Sequence, residues 1–180
     1  MTFNEDWEQE AENWIGWARK PGHDAYWLYR DAFFELLPPP GRATLDVGCG
    51  EGRVTRDLTA RGHRVVAVDA SPTLVRAASQ ADAEGEYLVA DAAALPFDDA
   101  SFDLVVAYNS LMDVQDMPGA VREAARVLQT GRLVLQRGPD EAFGCVEEAA
   151  RQPDRVEVVV GARRDAGIVE LVDPRVGTGQ

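Results

Sequence analysis

The stretch Leu45-Asp46-Val47-Gly48-Cys49-Gly50-Glu51-Gly52 decides the fold. Residues 44–47 form a short apolar run that passes at once, through alternating glycines, into the helical composition of residues 51–60. A strand that turns straight into a helix through glycines brings backbone close to a ligand with no Cβ in the way. The helix N-terminus beyond it offers N–H groups without intrahelical partners. Two ligand classes use such a turn. A dinucleotide site seats its pyrophosphate on the helix and wants G-x-G-x-x-G. Here Arg53 stands where the third glycine of that pattern belongs, and Asp46, two residues before the first glycine, is awkward beside a pyrophosphate. The dinucleotide reading is weakened.

Outward from the loop, strand-like runs alternate with helical segments. Residues 65–68 are apolar and end at Asp69, after which Ser71 and Pro72 open a helix as N-cap and first helical residue. Residues 86–90 and 103–108 read as strands, 118–128 as a helix, and 133–135 as a fifth strand. Apolar strands alternating with helices argue for a parallel sheet covered on both faces. Before the loop the composition changes. All four tryptophans lie between Trp7 and Trp27, and nine of the fourteen aromatic residues fall in the first forty, which divides an aromatic segment, 1–40, from a body, 41–180. The spacing of Trp7, Ala11, Trp14, Ile15 and Ala18 predicts an amphipathic helix over 5–19, broken at Pro21-Gly22. Asp24 is the expected N-cap of a second helix carrying Tyr26, Trp27, Phe33 and Phe34, and Pro38-Pro39-Pro40-Gly41 ends it.

The chain has 180 residues, enough for one domain with its own core and no staples. With Cys49 and Cys145 alone, a disulfide scaffold and a four-cysteine zinc site are excluded. Thirty-one acids against eighteen bases give a net charge of −13. Counterion release needs basic side chains on phosphates, so neither nucleic acid nor an anionic membrane is an expected partner. The first six residues carry no basic-then-apolar leader, and no apolar run approaches the roughly 20 residues that span a bilayer. The expectation is a cytoplasmic protein, monomer or dimer.

Asp46-x-Gly48-x-Gly50-x-Gly52 resembles the first motif of the class I S-adenosylmethionine-dependent methyltransferases. Ordered matches follow it: Asp69 at the end of the second strand, Asp91-Ala92 after the third, the run from Ser101 to Leu111 as fourth strand and turn, and Ala124-Ala125-Arg126-Val127-Leu128 before the fifth. The resemblance covers about half the chain. It implies an α/β, Rossmann-like, doubly wound and mostly parallel seven-stranded sheet with helices on both faces, its last strand antiparallel, and the two N-terminal helices as a lid. It also implies S-adenosylmethionine as cofactor and S-adenosylhomocysteine as product. Asp46, Gly48, Cys49, Gly50, Asp69, Ala70, Asp91, Ala92 and Asn109 would then hold the cofactor, Asp69 on the ribose hydroxyls and Asp91 with the next N–H at the adenine edge. Trp14, His23 and Tyr26 would cover a small-molecule methyl acceptor.

The match frays after residue 128. The family's Pro-Gly-Gly turn is replaced by Gln129-Thr130-Gly131, one residue shorter, which could slide the fifth strand. The tail allows a helix over 140–151 and a final antiparallel pair over 156–160 and 168–172. Methyl transfer needs donor and acceptor held in line and water kept out, and a general base only where the acceptor loses a proton. Candidates for that role are His23, Tyr108 and Asp113, each with a plainer reading as a loop, packing or cap residue. His63 reads as a surface residue. Arg53, Arg56, Arg61 and Arg64 read as a solvated face. Asp98-Asp99 has no third partner at metal-ligand spacing, and no metal is expected. Two alternatives to a methyltransferase stay open: a non-catalytic cofactor-binding or interaction protein of the same fold, and a nucleotide-linked oxidoreductase, disfavoured by Arg53.

Overall fold

The computed structural model describes residues 3–22, 24–136 and 156–160. Its strands are β1 (Thr44–Val47), β2 (Val65–Asp69), β3 (Glu86–Val89), β4 (Phe102–Tyr108), β5 (Leu128–Gln136) and β6 (Val156–Val160). They form one sheet in the order β3-β2-β1-β4-β5-β6, every neighbouring pair parallel. The order reverses between β1 and β4. Connections diverge there to opposite sides, leaving a crevice at the strands' carboxyl ends.

Five α-helices, α1 (Phe3–Ala18), α2 (Ala25–Glu35), α3 (Arg53–Ala60), α4 (Pro72–Ala81) and α5 (Met117–Val127), and one 3-10 turn, Leu111–Asp113, complete the described elements. The alternation of β4 sorts them onto two faces. Val105 and Ala107 pack with Leu45 and Val47 against Ala120, Ala124 and Val127 of α5. Leu104, Val106 and Tyr108 point the other way, into Val54 and Leu58 of α3 and Tyr26, Phe33 and Phe34 of α2. The parallel α/β sheet with helices on both faces is therefore as the alternation of runs predicts. The expected seventh, antiparallel strand at 168–172 and the helix at 140–151 lie outside the described residues. β6 is hydrogen-bonded directly to β5.

Local signals hold in part. Ser71 accepts a capping hydrogen bond from Leu74 N at 3.1 Å, and Pro72 opens α4. Asp24 occupies the N-cap position of α2 but its carboxylate caps nothing. No turn separates α5 from β5: Phe102 pairs with Leu128 and Leu104 with Arg132, so four residues of β5 advance against two of β4. The shortened connection is absorbed as an irregularity inside a longer strand. His63 is not a surface residue. It is 5% exposed, with Nδ1 3.1 Å from Thr44 Oγ1, because Gly62 at φ +92° turns the chain back under β1. Burial lowers its pKa.

The two N-terminal helices attach differently. α2 puts Phe33, 1% exposed, into the core, and its Tyr26 hydroxyl and Arg30 both donate to Asp57 of α3. Among the described side chains of α1, the buried ones are the small Ala11 and Ala18. Near its start, Glu8 accepts from Ser71 Oγ and from Thr73 N and Oγ1. Just past its end, Arg19 donates to Glu51 and to the Ala77 carbonyl, both at 3.0 Å. Among the described residues, no helix is long and apolar enough to cross a membrane.

Candidate functional site

The glycine loop leaves β1 into α3 with Gly48 at φ +72° and Gly50 at φ +57°, a left-handed backbone that side chains rarely tolerate. A Cβ on Gly48 would overlap the Ser110 side chain, and one on Gly50 would meet Trp14 Nε1 at 3.4 Å. Gly48 N and Cys49 N both donate to the Val68 carbonyl, at 2.8 and 3.0 Å, which fastens the loop to β2. Asp69 closes the arrangement: Oδ2 accepts from Gly50 N at 2.8 Å and Oδ1 from Ser71 N at 2.9 Å. Burial pushes its pKa up while the Ser71, Gly50 and Ala70 amides pull it down, leaving it raised. Each carboxylate oxygen keeps a second acceptor site.

These groups border a cleft whose empty space, counting the part open to solvent, is about 1200 Å³. Asp46 lies beneath it, 1% exposed, accepting from Thr55 Oγ1 at 2.6 Å. Burial drives its pKa up to about 7; the Thr55 hydroxyl opposes the rise and Asp69 adds to it. Cys49 and Ala70 form part of the wall, and burial holds the Cys49 thiol well above its ordinary range. On the β3 side stand Ala90, Asp91 and Ala92, with Asp91 Oδ1 accepting from Ala93 N at 2.9 Å. Past β4 the wall continues through Tyr108, Asn109, Ser110 and Asp113. Asn109 is itself left-handed, at φ +51°, and its buried Oδ1 has no hydrogen-bond partner among the described residues.

Of the expected cover, Trp14 and Tyr26 line the cleft, and His23 lies outside the described residues. All the other expected site residues border this one cleft. Sequence reasoning missed several that join them. Trp7 and Trp17 of α1 also face it. Glu51, 2% exposed, lines it while paired with Arg19 and with Arg56 at 2.8 Å. Arg53 is not part of a solvated face: its side chain is 16% exposed, pairs with Asp24 at 2.5 Å, and lies 4.4 Å over the Tyr26 ring. One signal was available. An arginine as first residue of a helix sits at the positive end of the helix dipole, a misfit that calls for a partner outside the helix. Among the described residues, no group of three or more His, Cys, Asp or Glu could hold a metal ion.

Comparison with known proteins gives a consistent relationship. The family described as a methyltransferase domain matches residues 45–135. A malonyl-(acyl-carrier protein) O-methyltransferase from Serratia marcescens is 35% identical over 112 residues, 60% of this chain and 44% of that protein. An uncharacterized methyltransferase from Schizosaccharomyces pombe is 34% identical over 131 residues, 67% of this chain and 48% of that one. The chain thus spans about half the length of these curated relatives. Among solved structures, a TehB-like S-adenosylmethionine-dependent methyltransferase from Corynebacterium glutamicum superposes with a TM-score of 0.60 at 28% identity, covering 82% of this chain and 81% of that one.

Proposed function

The chain belongs to the class I S-adenosylmethionine-dependent methyltransferase family, and on that premise we propose that its cleft binds S-adenosylmethionine and directs methyl transfer to a small-molecule acceptor. The observation that carries the reading is Asp69. Its carboxylate stands at the end of β2, fixed by amides from both flanking loops, with acceptor capacity left for a pair of ribose hydroxyls. The residues fit such a cofactor elsewhere too. The left-handed glycines leave room where a Cβ would intrude, and the unpartnered Asn109 Oδ1 is an acceptor awaiting a donor. Asp91 and the Ala92 amide suit an adenine edge.

S-adenosylmethionine supplies an already activated methyl group on a sulfonium. The chain's own task is to hold two partners in line and exclude water. The glycine loop and Asp69 orient one partner, and the aromatic walls from α1 and α2 shield the other. Asp46 sits too deep, and too firmly on Thr55, to touch an acceptor.

Calorimetry with S-adenosylhomocysteine, S-adenosylmethionine and NAD tests this reading. The first two bind and NAD does not. Asp69→Ala removes charge-assisted hydrogen bonds worth about 1.5–3 kcal/mol each, and so weakens S-adenosylhomocysteine at least about tenfold. Unchanged affinity in a folded Asp69→Ala variant removes the ribose assignment. A second reading, a cofactor binder without turnover, draws on the irregular α5–β5 junction. Methyl-acceptor panels with product detection separate the two.

A further inference from the structure

Two buried polar atoms of residues that line the cleft have no hydrogen-bond partner among the described residues: Asp24 Oδ1 and Tyr108 Oη. The Asp24 side chain is 5% exposed and Tyr108 is 7% exposed, and both line the cleft. Buried polar groups left unpaired cost free energy, and orphans facing one cavity mark where a ligand's polar atoms belong. The two come from chain segments 84 residues apart, brought together by packing: the Tyr26 and Tyr108 rings meet edge to face at 5.6 Å. Arg53 sits among them, its guanidinium 4.4 Å over Tyr26 and 5.6 Å from the centre of the Trp14 ring. It gives one nitrogen to Asp24 Oδ2, which leaves Oδ1 as the carboxylate's open acceptor.

We propose that Asp24 Oδ1 and Tyr108 Oη form the acceptor-recognition subsite, selecting a neutral O–H or N–H group carried on an aromatic or apolar body. The reading rests on the assignment of the cleft as an S-adenosylmethionine site. Its chemistry is complementary donor to acceptor. Burial pushes the Tyr108 phenol up to about 12, against the pull of Arg53 and with a push from Asp24, so Tyr108 stays protonated and donates. Asp24 Oδ1 accepts. The complementary group must therefore offer one hydrogen and one lone pair, as a phenol, alcohol or amine does. An ionised carboxylate offers lone pairs alone and sets its charge against Asp24, whose pairing with Arg53 leaves no net positive charge to compensate. The walls set the body: Trp14, Tyr26 and Tyr108 present aromatic surface to whatever carries the polar group. Asp24 and Tyr108 are thus specificity-determining residues, and Arg53 is a positioning residue that holds the Asp24 carboxylate in place.

The test uses the full chain saturated with S-adenosylhomocysteine and measures binding of 4-fluorophenol and 4-fluorobenzoate by fluorine NMR at neutral pH. The phenol binds at least about tenfold more tightly than the benzoate, a difference of one lost hydrogen bond plus one charge clash. Tyr108→Phe keeps the ring packing and weakens the phenol about tenfold, with S-adenosylhomocysteine affinity unchanged. Asp24→Asn weakens the phenol, strengthens the benzoate and so narrows the preference. If Asp24→Asn loosens α2 and fails to fold, Tyr108→Phe and the wild-type preference decide the matter. Equal binding of the two probes by the wild type overturns the proposal. So does a parallel loss of S-adenosylhomocysteine affinity in Tyr108→Phe, which would give the pair to the cofactor's amino-acid tail. Failure of S-adenosylhomocysteine to bind the wild type would instead refute the cofactor reading itself.

Discussion

α1 and α2 share a composition and differ in what holds them. Both are rich in aromatic residues, and between them they carry all four tryptophans. In α2 the aromatics are foundation: Phe33, Phe34 and Tyr26 close the core under Leu104, Val106 and Tyr108, with Phe33 and Tyr108 stacked edge to face at 4.7 Å. In α1 the tryptophans stack mainly on one another, Trp7 on Trp14 at 5.6 Å and Trp14 on Trp17 at 5.1 Å, and face the cleft. Besides the buried Ala11 and Ala18, α1 is held by polar ties, Glu8 near one end and Arg19 at the other. Burial of aromatic area is strong and insensitive to salt or pH, whereas part-buried charge-assisted contacts respond to pH. One helix is anchored through its aromatic side chains; the other is tied at its two ends by polar groups.

The largest expected effect contrasts the two directly. Phe33→Ala opens a cavity in the core and costs about 3–5 kcal/mol, read as a fall in denaturation midpoint. Trp17→Ala, at a side chain 37% exposed, costs about 1 kcal/mol or less. Removing residues 1–20 leaves a cooperatively folding protein, and removing 1–40 does not. A folded 1–40 deletion, or equal losses from the two point variants, would break the distinction.

That distinction was half legible in the sequence. The strand–glycine–helix unit, Asp69 and the Ser71-Pro72 helix start were readable because each is set by neighbours a few residues away. The aromatic segment was readable as a segment, but helical spacing does not say which apolar stripe meets a sheet and which meets a cleft. Asp24 and Arg53 were hidden for a related reason. A cap aspartate and an exposed helical arginine are the common fates of those residues, and only a contact across 29 positions changes both. His63 escaped in the same way, since its partner Thr44 lies 19 positions back. The missing turn before β5 was legible as an anomaly, and its resolution inside the strand depends on pairing with β4.

A smaller effect concerns binding. If α1 covers the cleft, cutting its polar ties should weaken the cofactor without harming the fold. Glu8→Ala with Arg19→Ala cuts part-buried ties near the two ends of α1 while Arg56 stays paired with Glu51, a loss to α1 docking of about 1 kcal/mol. S-adenosylhomocysteine affinity therefore falls about fivefold, by calorimetry, with an unchanged denaturation midpoint. An undiminished affinity would mean that α1 packs beside the cleft without covering it.

The smallest effect, and the one that separates the helices most cleanly, is in acid. Hydrogen bonds from Ser71 and Thr73 hold the Glu8 carboxyl below its ordinary 4.5. Its contribution to docking α1 is therefore complete above that value and lost as pH falls through the lowered one. Asp57, which receives Tyr26 and Arg30 of α2, is also lowered: burial alone would raise it, and the Arg30 and Tyr26 donors outweigh burial. Acid thus loosens a polar tie on each helix, but α2 keeps Phe33 and Phe34 beneath it. The body responds differently over the range just above. Asp46, raised to about 7, binds its proton more tightly folded than unfolded, so it adds stability as pH falls from about 7 towards 4. His63, lowered by burial, opposes that gain. Trp27→Phe leaves tryptophan only on α1, which makes intrinsic fluorescence a reporter of that helix alone. On acidification below pH 4.5, emission from this variant should move before far-ultraviolet circular dichroism reports loss of the fold. Adding Glu8→Gln should erase the early step, because the neutral amide has no proton to gain. If emission and dichroism move together, α1 is as much a part of the body as α2, and the polar ties are incidental to it.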